Sequence, residues 1–167
     1  GRDGSRRMVP VPTSTYSFRD RWHVDAPPAR VREVLADVEH YVEWWPEVVA
    51  VAVAGEKRGL VLCRSVLPYT LELLLTEEVD RPERLEVSVE GDLEGRVSFD
   101  LAPEGPGTRL DFAQDVRVRG LLAVASLPAR PLLRWNHDRM MRSCVAGLRR
   151  RVASGGGRGP APRTAPG

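Results

Sequence analysis

Residues 134–152 read RWNHDRMMRSCVAGLRRRV. Together with Leu133, the side chains of His137, Met141, Cys144 and Leu148 recur at intervals of three and four residues. That spacing places them on one stripe of an α-helix, the stripe a globular protein turns toward its interior. An imidazole is therefore carried inward among apolar groups. Asn136 lies at the edge of the stripe, beside Met140. Pro131 suits the first turn of such a helix. Arg149, Arg150 and Arg151 suit its last turn, where cations oppose the negative pole of the helix dipole. A helix of this length needs a surface to cover, and the rest of the chain must supply it.

That surface lies between Val48 and Val118, where the apolar period changes to two. The spacing predicts strands over 48–54, 60–67, 69–79, 85–90, 93–101 and 108–118, broken by Gly55, Gly59, Pro68 and the Asp80, Arg81, Pro82 turn. Alternation is clean at Leu71, Leu73 and Leu75, at Leu85, Val87 and Val89, at Val97, Phe99 and Leu101, and at Leu110, Phe112 and Val116. Short strands at hairpin spacing imply an antiparallel sheet with one apolar face. Upstream, Tyr16, Phe18, Trp22 and Val24 alternate with polar residues and predict a further strand, with Asp20 on its apolar side. Asp25 is then expected to cap a helix opened by Pro27 and Pro28 and carried by Val31, Val34, Leu35 and Val38. HYVEWWPEV, residues 40–48, reads as a short helical turn or second helix stopped at Pro46. The segment 120–133, GLLAVASLPARPLL, leads through Pro128 into the final helix. The predicted fold class is α+β, in the order β-α-α-β6-α. The final helix is the element long enough to cover the open face of the sheet.

A chain of 167 residues fits one domain, expected over 15–152. Residues 1–14 and 153–167 are poor in large apolar side chains and are expected to be disordered tails. Met8 is a candidate natural start after GRDGSRR. The net charge of +2 hides an uneven distribution: residues 15–148 hold 17 basic and 22 acidic side chains, while both tails are basic. An acidic body does not match a nucleic-acid-binding face. Cys63 and Cys144 stand far apart, with no zinc spacing, and are expected to be reduced thiols. Three histidines in the whole chain do not suggest a metal site, and no cofactor is called for. The N-terminus has no apolar signal run and no stretch is long enough to span a bilayer, so a cytoplasmic location is expected. Phosphate-loop, dinucleotide, HExxH and GxSxG motifs are absent.

With these elements in place, three segments carry a resemblance to a known family. They are VDAPPARVREVLADVEHYVEWWPEV (24–48), LPYTLELLLTEEVDRPERLEVSVEGDLEGRVSFDL (67–101) and the closing RWNHDRMMRSCVAGLRRRV. The chain resembles the SRPBCC superfamily of START-like, birch-pollen-allergen-like helix-grip domains, often labelled polyketide cyclase/dehydrase and lipid-transport proteins. The resemblance spans 16–152. It implies a seven-stranded curved antiparallel sheet gripping a long C-terminal helix around a hydrophobic cavity. It transfers no catalytic residue, because no enzymatic motif of the superfamily matches.

The residues themselves nominate a cavity lining. Its polar members are Asp20, Cys63 and Ser65 if Val61 faces inward, Gln114 between Phe112 and Val116, and Asn136 and His137. Its walls are Trp22, Trp45, Leu73, Val87, Phe99, Phe112, Met140, Met141 and Cys144. Each polar group also has a plainer use. Asp20 could pair with a basic neighbour, His137 could donate to a backbone carbonyl or to Asp20, and the two cysteines could be small core residues. Adjacent indoles cannot both face one interior, so one of Trp44 and Trp45 is expected under the first helix and the other at the cavity mouth, unless both simply pack. A cavity on the order of 300 Å³ or more, large enough for a drug-sized molecule, is expected between helix and sheet. Three functions follow: binding of an apolar, lipid-like or aromatic small molecule; a cyclase/dehydrase-type enzyme with His137 or Asp20 as the acid-base group; or a partner-binding domain whose cavity is filled. The chain is expected to be a monomer or a homodimer.

Overall fold

The computed structural model describes residues 14–65, 70–118 and 129–154. The Pro68 turn, the segment 119–128 and nearly all of both expected tails lie outside these residues. The elements run β1 (Ser14–Val24), α1 (Pro28–Ala36), a 3-10 helix (Val38–Glu43), β2 (Val48–Gly55), β3 (Arg58–Arg64), β4 (Thr70–Arg81), β5 (Arg84–Gly91), β6 (Leu93–Glu104), β7 (Gly107–Val118) and α2 (Arg130–Ser154). β1 starts one residue inside the expected N-terminal tail, and α2 continues two residues into the expected C-terminal one. The strands form one seven-stranded sheet in the order β1-β7-β6-β5-β4-β3-β2, every pair antiparallel. This is the helix-grip architecture.

Cross-strand register explains how the sheet presents its apolar face, because directly opposed residues point the same way. One row crosses from Val87 through Val97 and Gln114 to Phe18. The next crosses from Leu85 through Phe99 and Phe112 to Asp20. Both rows end on β1, an edge of the sheet. At the end of the molecule under α1 the interior is solid: Val24, Val31, Leu110 and Leu148 are fully buried. Thr108, also fully buried, ties β7 to the α1 entry by donating its hydroxyl to Ala26 O at 2.7 Å. Pro28 occupies the first turn of α1, but Pro27 stands at the cap position and no side chain caps the helix. Asp25, expected to do so, instead lies 2.9 Å from His23 Nε2. With Pro27 and Pro28 at its start, the helix has fewer free N–H groups for a cap to satisfy.

α2 crosses this frame at very close range. A Cβ built on Gly147 would lie 1.9 Å from Trp44 O, so only glycine permits the approach. Trp44 is buried beneath the crossing and Trp45 is half-buried beside it. The Trp45 indole donates Nε1–H to Met140 O at 3.2 Å. The 3-10 helix and α2 are thus joined by shape and by a hydrogen bond.

Gly147→Ala should force α2 away from Trp44 and lower stability by about 2 kcal/mol or more, the scale of overpacking against rigid backbone. Ala146→Ser, on the exposed face, should change it by no more than about 0.5 kcal/mol. Urea unfolding of the two variants measures the contrast; equal midpoints would show that the crossing is not tight.

Candidate functional site

The N-terminal half of α2 covers a hollow part of the sheet. A cavity of about 450 Å³ lies there, walled by residues of all seven strands on one side and by Leu133, Asn136, His137, Met140, Met141 and Cys144 of α2 on the other. Exposed Glu39, Glu56, Lys57 and Arg58 also belong to its wall, so it opens to solvent between the 3-10 helix and the β2–β3 turn. The remaining lining is mostly aliphatic and aromatic, and Trp44 and Trp45 both contribute. Their ring centroids are 6.0 Å apart in near-parallel planes. The expected division of labour between the two indoles is therefore replaced by a stacked pair, of which Trp44 is the more deeply buried.

His137 is the centre of the polar pole. Its ring stacks on Phe18 with centroids 3.5 Å apart and lies 6.0 Å from Phe112. Nε2 is 3.1 Å from Gln114 Oε1. Because Gln114 is opposite Phe18 in the β1–β7 register, one stretch of sheet supplies both the stacking ring and the hydrogen-bond partner. Nδ1 is buried without a hydrogen bond, and Asp138 Oδ1, at 3.9 Å, is too distant to supply one. Burial pushes the imidazole down to about 4, against a smaller upward pull from Asp138. His137 is consequently neutral near pH 7. Asn136, 9% exposed, directs Nδ2 toward Met140 Sδ at 3.7 Å, while its Oδ1 has no partner.

Of the residues nominated from the sequence, Trp45, Cys63, Leu73, Val87, Phe99, Phe112, Gln114, Asn136, His137, Met140, Met141 and Cys144 all line this cavity. Asp20, Trp22 and Ser65 do not. Asp20 has the inward parity expected of it but is exposed. α2 runs along β1, with Arg130 Nη2 bonded to Thr15 O and Arg149 Nη2 to His23 O. Asp20 thus meets the flank of the helix that carries Asp138, roughly 200° around from Asn136 at 100° per residue. Burial and the nearby Asp138 charge raise its carboxyl. Trp22 is half-buried and packs against Phe112 with centroids 5.6 Å apart, lying against the core rather than in the cavity wall. β3 ends at Arg64, so the alternation that turns Val61 and Cys63 inward does not extend to Ser65.

Both cysteines are free and buried. Burial pushes the Cys63 thiol up to about 11 and raises Cys144 as well; neither is a nucleophile at neutral pH. The structure adds lining residues that the sequence reading left out, among them Tyr16, Phe18, Tyr41 and Leu133. The period-two pattern had already turned Tyr16 and Phe18 inward. Tyr41, whose hydroxyl donates to Leu35 O, carried no such signal. Among the described residues, no group of three or more His, Cys, Asp or Glu could hold a metal ion, and no helix is long and apolar enough to cross a membrane.

Solved structures repeat this architecture. The chain superposes on the protein TTHA0849 from Thermus thermophilus with a TM-score of 0.76 at 22% identity, covering 85% of this chain and 100% of that one. A START superfamily protein from Mycobacterium smegmatis gives a TM-score of 0.69 at 16% identity over 83% of this chain and 97% of the other. The Zhui aromatase/cyclase from Streptomyces sp. R1128 gives 0.69 at 15% over 84% and 94%. At these identities the likeness is one of fold. No curated protein matches the sequence. The family model described as polyketide cyclase / dehydrase and lipid transport matches residues 15–153, all but the first residue of the sheet and the last of α2, and the chain belongs to that family.

Proposed function

We propose that the protein binds an apolar small molecule, lipid-like or aromatic, in the cavity beneath α2. The observation that carries this reading is the cavity itself: about 450 Å³ of space walled mainly by apolar side chains, with Gln114, Asn136 and His137 gathered at one polar pole. Sites for small molecules have this composition, a greasy wall that supplies affinity and a few polar groups that fix orientation. A domain that used this region only for packing would fill it.

The cyclase reading draws less support from the same groups. A general base works best with a pKa near the operating pH, and His137 is held far below it, at about 4. Asp20, the other acid-base candidate, is exposed outside the cavity wall. Binding therefore takes precedence over proton transfer.

Nile red, an uncharged dye that brightens in apolar surroundings, should bind one to one and fluoresce. Val97 lies in the middle of the inward rows, so Val97→Trp should occupy the space, abolish the signal and change stability by less than about 1.5 kcal/mol, since it fills a void rather than overpacking a core. Undiminished dye binding in Val97→Trp would overturn the assignment of the cavity.

A pH dependence follows from His137. The imidazole titrates near 6.5 in the unfolded chain and near 4 in the folded protein. Below pH 6.5 the unfolded chain takes up a proton that the folded state resists, so this contribution to stability is present above 6.5 and is lost as pH falls toward 4. Its size is about 3 kcal/mol. His23 and His40, raised by acidic partners, act in the opposite sense in wild type and variant alike. In urea titrations at pH 7.5 and 4.5, His137→Gln should lose less stability between the two pH values than wild type; equal losses would contradict a buried neutral His137.

A further inference from the structure

Two acceptors at the polar pole, Asn136 Oδ1 and His137 Nδ1, are buried without a hydrogen bond. Asn136 Oδ1 is closed off from protein donors and from solvent, and its amide nitrogen is spent on a thioether, a weak acceptor. With Gln114 Oε1 as acceptor, His137 Nε2 carries the ring proton. His137 Nδ1 is then a second lone pair, also buried and without a hydrogen bond. A buried acceptor without a donor is costly, so it is rarely left unmet in a finished site.

The wall at this pole carries no charged side chain, and the charge nearest to His137 Nδ1 is the carboxylate of Asp138, 3.9 Å away and outside the wall. The cationic wall residues, Lys57 and Arg58, stand at the mouth beside the β2–β3 turn. Arg134 lies over the Phe18 ring at 5.6 Å but is not part of the wall. A carboxylate seated among Gln114, Asn136 and His137 would lose its hydration without gaining a counterion. A ketone or aldehyde would bring a further acceptor and leave Asn136 Oδ1 as it is. A hydroxyl supplies the missing donor.

Resting on the cavity reading above, we propose that the site selects a neutral ligand bearing a hydroxyl group, an alcohol or phenol, whose O–H donates to Asn136 Oδ1. The hydroxyl displaces the Asn136–Met140 thioether contact, and rotation about the end of the Asn136 side chain brings Oδ1 to face it. The apolar body of the ligand then lies along Phe99, Phe112 and Val97.

The test is displacement of Nile red at pH 7.5 by four probes of one shape: naphthalene, 1-naphthol, 1-naphthaldehyde and 1-naphthoate. 1-Naphthol should compete about fivefold better than 1-naphthaldehyde, the value of one net hydrogen bond, and 1-naphthoate should be the weakest. Asn136→Leu, close in shape and without the acceptor, should bind naphthalene at least as well as wild type and lose the naphthol preference. If 1-naphthaldehyde matches 1-naphthol on the wild-type protein, the hydroxyl assignment is overturned while the cavity reading stands. A naphthol preference that survives in Asn136→Leu overturns the role of Asn136. Failure of Nile red to bind at all overturns the cavity reading and this inference with it. Should Asn136→Leu not fold, the wild-type series still decides between donor and acceptor ligands.

Discussion

The contact between Gly147 and the Trp44 carbonyl is the constraint on which the arrangement depends. A helix normally keeps its neighbours at the distance set by its side chains. Here the missing Cβ lets α2 settle onto the Trp44 backbone, and the indole of Trp45 then reaches Met140 O further along the same helix. Two points fix a line, so the path of α2 across the sheet is set by this pair. Its C-terminal half is pressed against α1 and the solid core, where Val145, Leu148 and Val152 are buried. Toward its N-terminus the same helix bridges the hollow.

This division lets one small domain hold both a stable interior and an open one. A cavity costs stability because its lining atoms have no partners on one side. The solid end, where Val24, Val31, Leu110 and Thr108 are fully buried, supplies the packing against which that cost is tolerated. The polar pole adds to it, since His137 is kept neutral by burial and Asn136 holds an unmet acceptor. Both features would be defects in a core. In a binding site they are unsatisfied capacity that a ligand can complete, and occupancy then stabilises the folded state by mass action.

Much of this was legible in the sequence. Period-two alternation located the strands and turned Phe99, Phe112 and Gln114 toward the interior, because a strand's geometry allows no other choice once one face is apolar. Helical spacing did the same for His137, Met141, Cys144 and Leu148. The misreadings share a cause: parity says which face a side chain occupies but not what lies above it. Asp20 is on the correct face, yet the opposite flank of α2 lies there. Trp22 likewise faces inward, against the core rather than in the cavity wall. Ser65 was assigned by extending a strand beyond Arg64, where alternation no longer applies. Asp25 looked like a cap by residue type, but the two prolines that follow it moved the helix start onward.

By itself, the sequence determined the element order, the inward faces of strands and helix, and the presence of an imidazole among apolar groups, because these follow from local periodicity and hydrophobic burial. Only the tertiary structure decided that β1 takes the sheet edge beside β7 and that α2 runs along it. It also decided that Phe18 and Gln114 meet His137, and that space remains between helix and sheet. These depend on contacts between residues as distant in the chain as Trp44 and Gly147, and a periodic pattern carries no information about which distant surfaces will touch or how closely.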